Sequence, residues 1–513
     1  METFRDLYQT PADCLGSFVQ QMLVPQKAWR DQVQDAWQRI SSFLKEHCFG
    51  DLLFLDQEVQ VLKVVKGGSS GKGTTVNHSS DVDMVVFLSC FSSFWDQALY
   101  REMVIDFVKK RLGHYSRSLA YSITVIHHKE GVRAPRSLSI QVQAKKNGDI
   151  IKVDVLPAFD ALGNISPNLK PEPAIYEALI KSFSHPGEFS PSFAVLQRHF
   201  VKSRPVKLKD LLRLVKHWYQ QYVKPAHRTA ALPSKYALEL LTIYVWEEGA
   251  DESESFGLDV GFEAVMKLLR EYEDICIYWT KYYDFQSEDV KVFIKNQLKE
   301  DSIPPFSRPV ILDPVDPTNN LGRGKRWDLV AKEAAHCLRQ PCCKTEDPSQ
   351  SWHVQPARNI QVTVKQRGKE DWTLWVNPYR PILKMKAEIR KKNDLNGKMR
   401  LSFQEPRGER QLLSSRGTLA EHGIFSKVSV RVVDALSGEI LVFVKSPNGL
   451  SMPVAIHPEY SIWDLKEKIE EAGGPAKEDQ ILKCPDHKVW NHSRISDLEI
   501  KDCDTISLFI KNH

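Results

Sequence analysis

The sequence contains no apolar run long enough to cross a membrane and no leader pattern at its first residues. No stretch approaches about 18 uninterrupted apolar residues, and METFRDLYQTPADCLGSF has neither an apolar core nor a small-residue cleavage site. The nine cysteines form no CxxC pair and no His/Cys cluster at zinc spacing, and adjacent Cys342 and Cys343 suit neither a disulfide nor a zinc site. We therefore expect a soluble, intracellular, cytoplasmic protein without a membrane partner, whose thiols are reduced and mostly buried.

The chain also lacks a strong charge bias, since 70 Lys and Arg against 65 Asp and Glu leave a net charge of +5. So mild an excess indicates no partner by itself, and only its local distribution is informative. At 513 residues, with 42% hydrophobic and 26% charged residues, the composition is globular and the chain is too long for a single core. We expect roughly three or four domains.

An internal repeat occupies the last third of the sequence, after a segment rich in Pro, Ser and Asp, KTEDPSQSWHVQPARN (344–359), that predicts a linker. NIQVTVK (359–365) recurs as EILVFVK (439–445), and the helical pattern PILKMKAEIRKK (381–392) recurs as SIWDLKEKIEEA (461–472). Each copy predicts two strands, an amphipathic helix and further strands ending in KVSVRVV or DTISLFI. The repeat therefore predicts two tandem copies of one small domain.

This order of elements, with DCDTISL (502–508) leading into the last strand, resembles ubiquitin, and the resemblance implies a β-grasp fold for both copies. The sequence ends without Gly-Gly, so we expect no conjugation through that end. Aligned through LSFQE and ILKCP, Ser402 and Lys483 take the place of the apolar residue at the centre of ubiquitin's partner-binding patch. We therefore expect a charged or polar surface for any protein partner of the tail. Two solubilising appendages without partners are the alternative.

A glycine-serine segment followed by two aspartates marks VVKGGSSGKGTTVNHSSDVDMVVFL (64–88). The spacing around Lys72 does not fit a Walker A motif, because Gly73 follows the lysine where Ser or Thr is required. We predict instead a flexible glycine loop whose backbone amides, with the hydroxyls of Ser69 and Ser70, could wrap a polyphosphate. A plain turn is the alternative interpretation.

Alternation of side chains along a strand places Asp81 and Asp83 on one face. Neighbouring carboxylates repel each other, and a divalent cation such as Mg²⁺ removes the repulsion. A second strand-like segment, GDIIKVDVLPAFDALG (148–163), carries a lone acid, Asp154, among apolar neighbours. If the two strands pair, three carboxylates converge as two-metal phosphoryl transfer requires. A surface-exposed strand is the alternative.

Basic residues concentrate in RHFVKSRPVKLKDLLRLVKHWYQQYVK (198–224), with eight Lys or Arg against one acid. Apolar and aromatic residues there fall at helical spacing, which predicts an amphipathic helix with Arg213 and Lys216 on another face. Such cations could neutralise a triphosphate or contact a nucleic-acid backbone. A solvated helix face is the alternative.

The glycine loop, the DxD pair and the third aspartate together resemble the nucleotidyltransferase superfamily of polymerase-β type. With LRLVKHWYQQYV (212–223) and YALELLTIYVWE (236–247), residues 1 to 350 are more similar still to the 2′-5′-oligoadenylate synthases, and the tail completes a resemblance to the synthase-like members of that family. The resemblance implies an α+β chain. A bilobal nucleotidyltransferase, with a catalytic lobe at 1–160 and a helical lobe at 161–352, would precede two tandem β-grasp (ubiquitin-like) domains at 359–433 and 438–513.

The same resemblance assigns roles to individual residues. It implies Mg²⁺ ligands and catalytic carboxylates at Asp81, Asp83 and Asp154, the last also helping to deprotonate the acceptor 2′-hydroxyl. It implies ATP contacts at Gly68, Ser69, Arg213, Lys216, Lys235 and Tyr236. It implies contacts with double-stranded RNA at Lys66, Arg198, Lys202 and Lys207, where binding would close the lobes and bring the third carboxylate into reach. Lys235 departs from the family's glutamine, which leaves rate and nucleotide choice open.

Two functions from different classes fit these residues. The first is synthesis of 2′-5′-linked oligoadenylates from ATP with release of pyrophosphate, activated by double-stranded RNA in interferon-induced antiviral defence. The second is a catalytically inactive RNA-binding scaffold that presents its ubiquitin-like pair to a signalling protein. A template-independent polymerase of another linkage is a weaker third hypothesis. The intact aspartates and glycine segment favour the first.

Overall fold

The structure is a computed structural model that describes residues 6–54, 56–77, 79, 81–115, 121–126, 136–144, 148–285, 287–298, 308–345, 347–393, 395, 398–484 and 489–511. The side chains of Phe54, Asp81 and Pro348 lie outside this description. The chain forms two compact units, Met1–Pro356 and Ala357–His513. Among the described residues, no helix combines the length and the apolar character that crossing a bilayer requires.

The first unit combines a mixed sheet with a largely helical second half. Its helices are α1 Leu15–Phe18, α2 Lys27–Phe43, α3 Gly68–Lys72, α4 Phe94–Tyr115, α5 Pro173–Ser182, α6 Ala194–Lys202, α7 Val206–Trp218, α8 Lys224–Ala226, α9 Lys235–Gly249, α10 Leu258–Arg270, α11 Glu288–Leu298 and α12 Trp327–Cys337. Its strands are β1 Leu53–Phe54, β2 Gln57–Glu58, β3 Val61–Lys66, β4 Asp81–Leu88, β5 Tyr121–Val125, β6 Leu138–Ala144, β7 Ile151–Ala158, β8 Cys276–Ile277 and β9 Val310–Ile311.

A five-stranded sheet in the order β3-β4-β7-β6-β5 carries the predicted aspartates. β4 and β7 run parallel, and the other neighbouring pairs run antiparallel. The alternation predicted for β4 is confirmed, because Val82, Met84, Val86 and Leu88 are buried in one core with residues of α2 and α4. The other face of β4 carries Asp83 near its start and then becomes apolar where it packs with the first residue of α6.

The helical half of the unit is built around α7, which is amphipathic as predicted. Its apolar residues Leu208, Leu211, Leu212, Val215 and Trp218 are all at most 1% exposed. They pack α7 against α9 and α10, and α10 packs in turn on α12. Two cations of α7, Arg213 and Lys216, lie on the side that meets the segment after α3, as described below.

The first part of the predicted linker is packed on this unit. The ring of Trp352 lies 5.5 Å from that of Phe256, centroid to centroid, and the Ser351 hydroxyl donates to Glu263 at 3.1 Å. The carbonyl of Pro356 accepts a hydrogen bond from the backbone N–H of Cys276 at 2.9 Å. The division between the two units falls after Pro356, inside the predicted linker, while Trp352 anchors the preceding residues of that segment to the first unit.

The second unit consists of the two repeats. The first comprises β10 Ile360–Gln366, β11 Trp372–Val376, α13 Ile382–Asn393, β12 Lys398–Gln404, β13 Arg410–Leu412 and β14 Val428–Ala435. The second comprises β15 Ile440–Lys445, β16 Ser451–Ile456, α14 Ile462–Glu471, β17 Gln480–Lys483 and β18 Thr505–Ile510. In both, the first and last strands pair in parallel and the helix buries its apolar face. The predicted order of elements is confirmed.

Polar groups of β12 and β13 join the two repeats within this unit. Buried Arg410 donates from Nε to the carbonyl of Ser451 at 2.6 Å and from Nη1 to the hydroxyl of Ser402 at 3.2 Å. The Gln404 side chain accepts from the N–H of Ser451 at 2.7 Å. Ser402 is 1% exposed, so the position expected to face a partner is closed in the first repeat.

Candidate active site

Strands β4 and β7 bring two of the predicted catalytic carboxylates side by side. Their parallel register pairs Asp83 with Asp154 and, two residues earlier, Asp81 with Lys152. Asp83 and Asp154 therefore lie directly opposite each other on neighbouring strands, as a site shared by the two carboxylates requires. The backbone of Asp81 belongs to the same strand, but its side chain lies outside the described residues.

This carboxylate pair has the electrostatics of a cation site. Burial and, to a smaller extent, the facing charge of Asp154 raise the pKa of Asp83 to about 6, while Lys72 opposes both. Ser139 on the neighbouring strand β6 donates its hydroxyl to Oδ1 of Asp154. Facing carboxylates that are costly to ionise together supply the hard oxygen ligands that Mg²⁺ prefers. The residues therefore fit a magnesium site.

The glycine-serine segment beside Asp83 is a short helix, α3, rather than the flexible loop predicted from sequence. Its predicted ATP contacts, Gly68 and Ser69, form the first turn. The N–H of Gly67 donates to the carbonyl of Asp83 at 2.8 Å, which ties the helix to β4. Sequence could not indicate this helix, because glycine and serine are poor helix formers and tertiary contacts stabilise it here.

Two glycines in this segment are required by geometry. A Cβ on Gly71 would lie 2.1 Å from the carbonyl oxygen of Lys66, so no side chain fits there. Gly73 ends α3 with φ of 76°, the left-handed conformation that glycine adopts without strain. The sharp turn between β3 and the segment leading to β4 therefore depends on both residues.

A buried carboxylate absent from the predicted site residues, Glu239 of α9, joins this segment to the helical half. Glu239 is 3% exposed, and it pairs with Lys72 at 2.9 Å and with Lys216 at 2.5 Å. The Thr74 hydroxyl donates to it at 3.0 Å. Burial alone would raise the pKa of Glu239, but the two ammonium groups hold it at about 2. The sequence could have indicated this residue, because Glu239 is a lone acid in the apolar segment YALELLTIYVW and a buried charge requires partners.

Arg213 and Lys216 of α7 hold the chain that follows α3. Arg213 donates to the carbonyls of Thr75 at 3.0 Å and Gly73 at 2.8 Å, and also to Asp210 at 2.8 Å. Burial lowers the pKa of both cations. A solvated helix face is therefore wrong for this pair. A triphosphate bound by them would have to replace these internal acceptors.

Tyr236 and Lys235 begin α9 next to the same network. The ammonium of Lys72 lies 3.8 Å from the centre of the Tyr236 ring, and the Tyr236 hydroxyl donates to Asp313 at 3.1 Å. Burial and neighbouring Asp316 raise the pKa of Asp313 to about 7. Burial lowers the pKa of Lys235, whose side chain is partly exposed.

The cations predicted to contact RNA lie on elements around α3. Lys66 ends β3, and its ammonium donates to Gln34 at 3.0 Å. Arg198 and Lys202 are one turn apart on α6, where they line a cavity of about 290 Å³. Helix α6 packs against α3, and the carbonyl oxygen of Lys66 and the side chain of Arg198 both border the position that a Cβ on Gly71 would take.

The fourth predicted RNA contact, Lys207, is exposed in the first turn of α7, and its ammonium lies 5.5 Å from the centre of the Phe256 ring. The structure thus brings three of the four cations to the surroundings of α3 and places Lys207 on the following helix.

The expectation of mostly buried thiols is confirmed, because five of the nine cysteines are buried. From the sequence, Cys342 and Cys343 were considered only as an adjacent pair that suits neither a disulfide nor a zinc site. The fold brings Cys337 to them, and the three sulfur atoms lie within 4.8 Å of one another.

Comparison with known proteins identifies relatives of this chain. The family model described as 2′-5′-oligoadenylate synthetase 1, domain 2, C-terminus, matches residues 169–357. The 2′-5′-oligoadenylate synthase-like protein 2 of Mus musculus is 62% identical over 99% of this chain and 99% of its own length. This chain belongs to the 2′-5′-oligoadenylate synthase family. The α+β fold of that family, a nucleotidyltransferase followed here by two β-grasp domains, is confirmed.

Other members of the 2′-5′-oligoadenylate synthase family match over different lengths. The synthase-like protein 1 of Rattus norvegicus is 44% identical over 99% of this chain and 98% of its own. Homo sapiens 2′-5′-oligoadenylate synthase 2 is 40% identical over 68% of this chain and 48% of its own. Among solved structures, the E. coli MS115-1 CdnC:HORMA-deltaN complex matches with a TM-score of 0.42 and 18% identity, covering 65% of this chain and 90% of that one.

Proposed function

We propose that this protein joins ATP molecules into 2′-5′-linked oligoadenylates, with release of pyrophosphate, when double-stranded RNA binds its first unit in antiviral defence. The observation that carries the proposal is the parallel register that sets Asp83 opposite Asp154 beside α3. Family membership supports the chemistry, since the human relative is named a 2′-5′-oligoadenylate synthase.

In this proposal Asp83, Asp154 and Asp81 hold Mg²⁺ through carboxylate oxygens. The ion, when bound, supplies charge neutralisation for the triphosphate and makes the acceptor hydroxyl more acidic. Ser139 orients one oxygen of Asp154 by its hydrogen bond. We assign the proton of the acceptor 2′-hydroxyl to the other oxygen of Asp154, which acts as the general base.

The donor ATP binds through α3 and the helical half. In this proposal Arg213 and Lys216 supply positive charge to the triphosphate, Gly68 and Ser69 line it, and Lys235 and Tyr236 hold the nucleoside. Because the chain's own carbonyls and Glu239 already bind Arg213 and Lys216, donor binding needs those contacts to be exchanged.

RNA supplies that exchange in the proposal. Lys66 ends the strand that leads into α3, and the Arg198 side chain packs beside Gly71, so RNA bound to them acts directly on α3 and on the segment that Arg213 holds. The β4–β7 register already sets Asp154 opposite Asp83. RNA is therefore not needed to bring the strand positions of these carboxylates together, and its effect falls on the donor-binding cations.

The second candidate is a catalytically inactive RNA-binding scaffold whose ubiquitin-like tail engages a signalling protein. The observation that favours it is the internal occupation of Arg213 and Lys216, which would persist if RNA did not release them. The two candidates differ in whether RNA binding leads to product.

The test uses the full-length protein with ATP, Mg²⁺ and double-stranded RNA. We expect oligomers that resist a 3′-5′-specific nuclease. Asp83→Ala should abolish product and keep RNA affinity, whereas the exposed control Asp149→Ala should keep both. Product from Asp83→Ala would remove Asp83 from the site. Nuclease-sensitive product would indicate a polymerase of another linkage, and RNA binding without product would support the scaffold.

The RNA face is tested by changing charge. Arg198→Glu with Lys207→Glu should weaken RNA binding and flatten its dependence on salt, because each phosphate contact contributes about 0.7 to 0.9 to the logarithmic slope. Lys325→Glu, at an exposed position elsewhere in the first unit, is the matched control. An unchanged slope in the double variant would place the RNA on another surface.

A further inference from the structure

Three cysteines that have no part in the proposed reaction meet in the interior of the first unit. Cys337 is the last residue of α12, and Cys342 and Cys343 lie on the 3₁₀ turn Pro341–Cys343. They are 0%, 0% and 4% exposed, respectively. All three Sγ atoms lie within 4.8 Å of one another, and those of Cys337 and Cys343 are 3.7 Å apart. Three sulfur atoms therefore converge on one buried point.

The spacing of these sulfurs matches metal ligands better than a disulfide. A disulfide requires sulfurs about 2.05 Å apart, well below the observed separation. Zn²⁺ in tetrahedral geometry, with zinc–sulfur distances of about 2.3 Å, holds its sulfurs about 3.8 Å apart. Packing of thiols as small apolar groups accounts for their burial, but it does not require three of them to converge.

We propose that Cys337, Cys342 and Cys343 bind one Zn²⁺ ion as thiolates, with a solvent ligand in the fourth position. In the part of the chain that the structure describes, no further Cys, His, Asp or Glu belongs to this group, so the fourth ligand is assigned to solvent. Each thiol releases its proton to solvent as the ion binds, and affinity therefore falls as pH falls. Soft thiolates select zinc, whereas the carboxylates of β4 and β7 select Mg²⁺.

The ion would connect two segments of the first unit, the end of α12 and the turn Pro341–Cys343. The turn Ala12–Cys14 packs against Pro341–Cys343, and the Tyr8 hydroxyl donates to Glu333 of α12. A bound ion would hold the end of α12 to the turn from which the chain continues to Pro356. This stabilising role is independent of the proposed synthase activity, and either can fail without the other.

The wild-type protein provides the first test. Full-length protein, freed of metal with a chelator under reducing conditions, is titrated with zinc chloride in competition with a chromophoric chelator. Cobalt chloride serves as a spectroscopic probe of the same site. We expect one zinc ion per chain, sulfur-to-cobalt charge-transfer bands, and zinc–sulfur distances of about 2.3 Å by X-ray absorption. A protein that takes up no zinc, or a cobalt complex without sulfur bands, overturns the proposal.

Cysteine variants locate the ion. Cys337→Ser and Cys343→Ser should each lower zinc affinity at least about tenfold. They should also lose the increase in melting temperature that zinc gives the wild type. Cys276→Ser, at a buried cysteine outside the cluster, should keep both properties. Equal losses in Cys276→Ser, or full zinc affinity in the Cys337→Ser, Cys343→Ser double variant, overturns the assignment. If the cluster variants do not fold, the cobalt spectrum of the wild type decides.

Discussion

Asp83→Asn should make the metal-free protein more stable while removing its activity. Its carboxyl has a pKa of about 6 in the folded protein against an ordinary value of 3.8, chiefly because of burial. Above pH 6 the folded state bears the full cost of this shift, about 3 kcal/mol, and below pH 4 both states are protonated and the cost disappears. The variant should therefore be up to about 3 kcal/mol more stable than wild type at pH 8, with the advantage lost between pH 6 and pH 4. Urea unfolding in EDTA across this range measures it.

Magnesium should reverse the order of stability. Because Mg²⁺ binds only the folded wild-type site, adding it should stabilise the wild type and leave Asp83→Asn unchanged. Asp149→Asn, at an exposed acid just before β7, should change stability by no more than about 0.5 kcal/mol at any pH. Equal or lower stability of Asp83→Asn in EDTA at pH 8 would refute the idea that this carboxylate is strained by burial and by its neighbour.

Three further changes test packing near and away from the site. Glu239→Gln leaves two buried ammonium groups without a counter-charge, so urea unfolding should show a loss of about 3 to 5 kcal/mol, and a loss below about 1 kcal/mol would contradict the buried network. Gly71→Ala puts a methyl carbon 2.1 Å from the Lys66 carbonyl oxygen, so we expect a loss of about 1 to 3 kcal/mol and weaker RNA binding; an unchanged melting temperature would show that α3 shifts freely. Arg410→Ala should split the calorimetric unfolding of the second unit into two transitions, and one retained transition would show that other contacts couple the repeats.

The strands of the site could be predicted from sequence because their burial alternates. Val82 and Met84 face a core while Asp83 does not, and β7 has the same pattern around Asp154. That contrast depends only on residues close together in the sequence, so it can be recognised without knowledge of the fold. The register that sets the two aspartates opposite each other was only a hypothesis, because strand pairing depends on the whole sheet.

The parts of the site that sequence did not indicate depend on tertiary contacts. Helix α3 is made of weak helix formers and is fixed by β4. Two partners of Glu239, Lys72 and Thr74, lie 167 and 165 residues before it in the sequence, so only the assembled fold brings them together. The thiol cluster likewise requires the turn after α12, which places Cys337 beside Cys342 and Cys343. The spacing of these three cysteines is not among the patterns by which zinc motifs are recognised in a sequence.

The buried guanidinium of Arg410 has a consequence for recognition of the tail. It links the repeats through the backbone of Ser451, so the two β-grasp copies present themselves to a binding partner at a fixed distance and angle. A partner that binds both copies at once would then lose no conformational entropy from ordering a flexible linker between them. Its avidity would depend on how well its two binding sites match the arrangement of the copies, rather than on effective concentration. Binders selected against one isolated copy would not recognise the surface that the two copies form together.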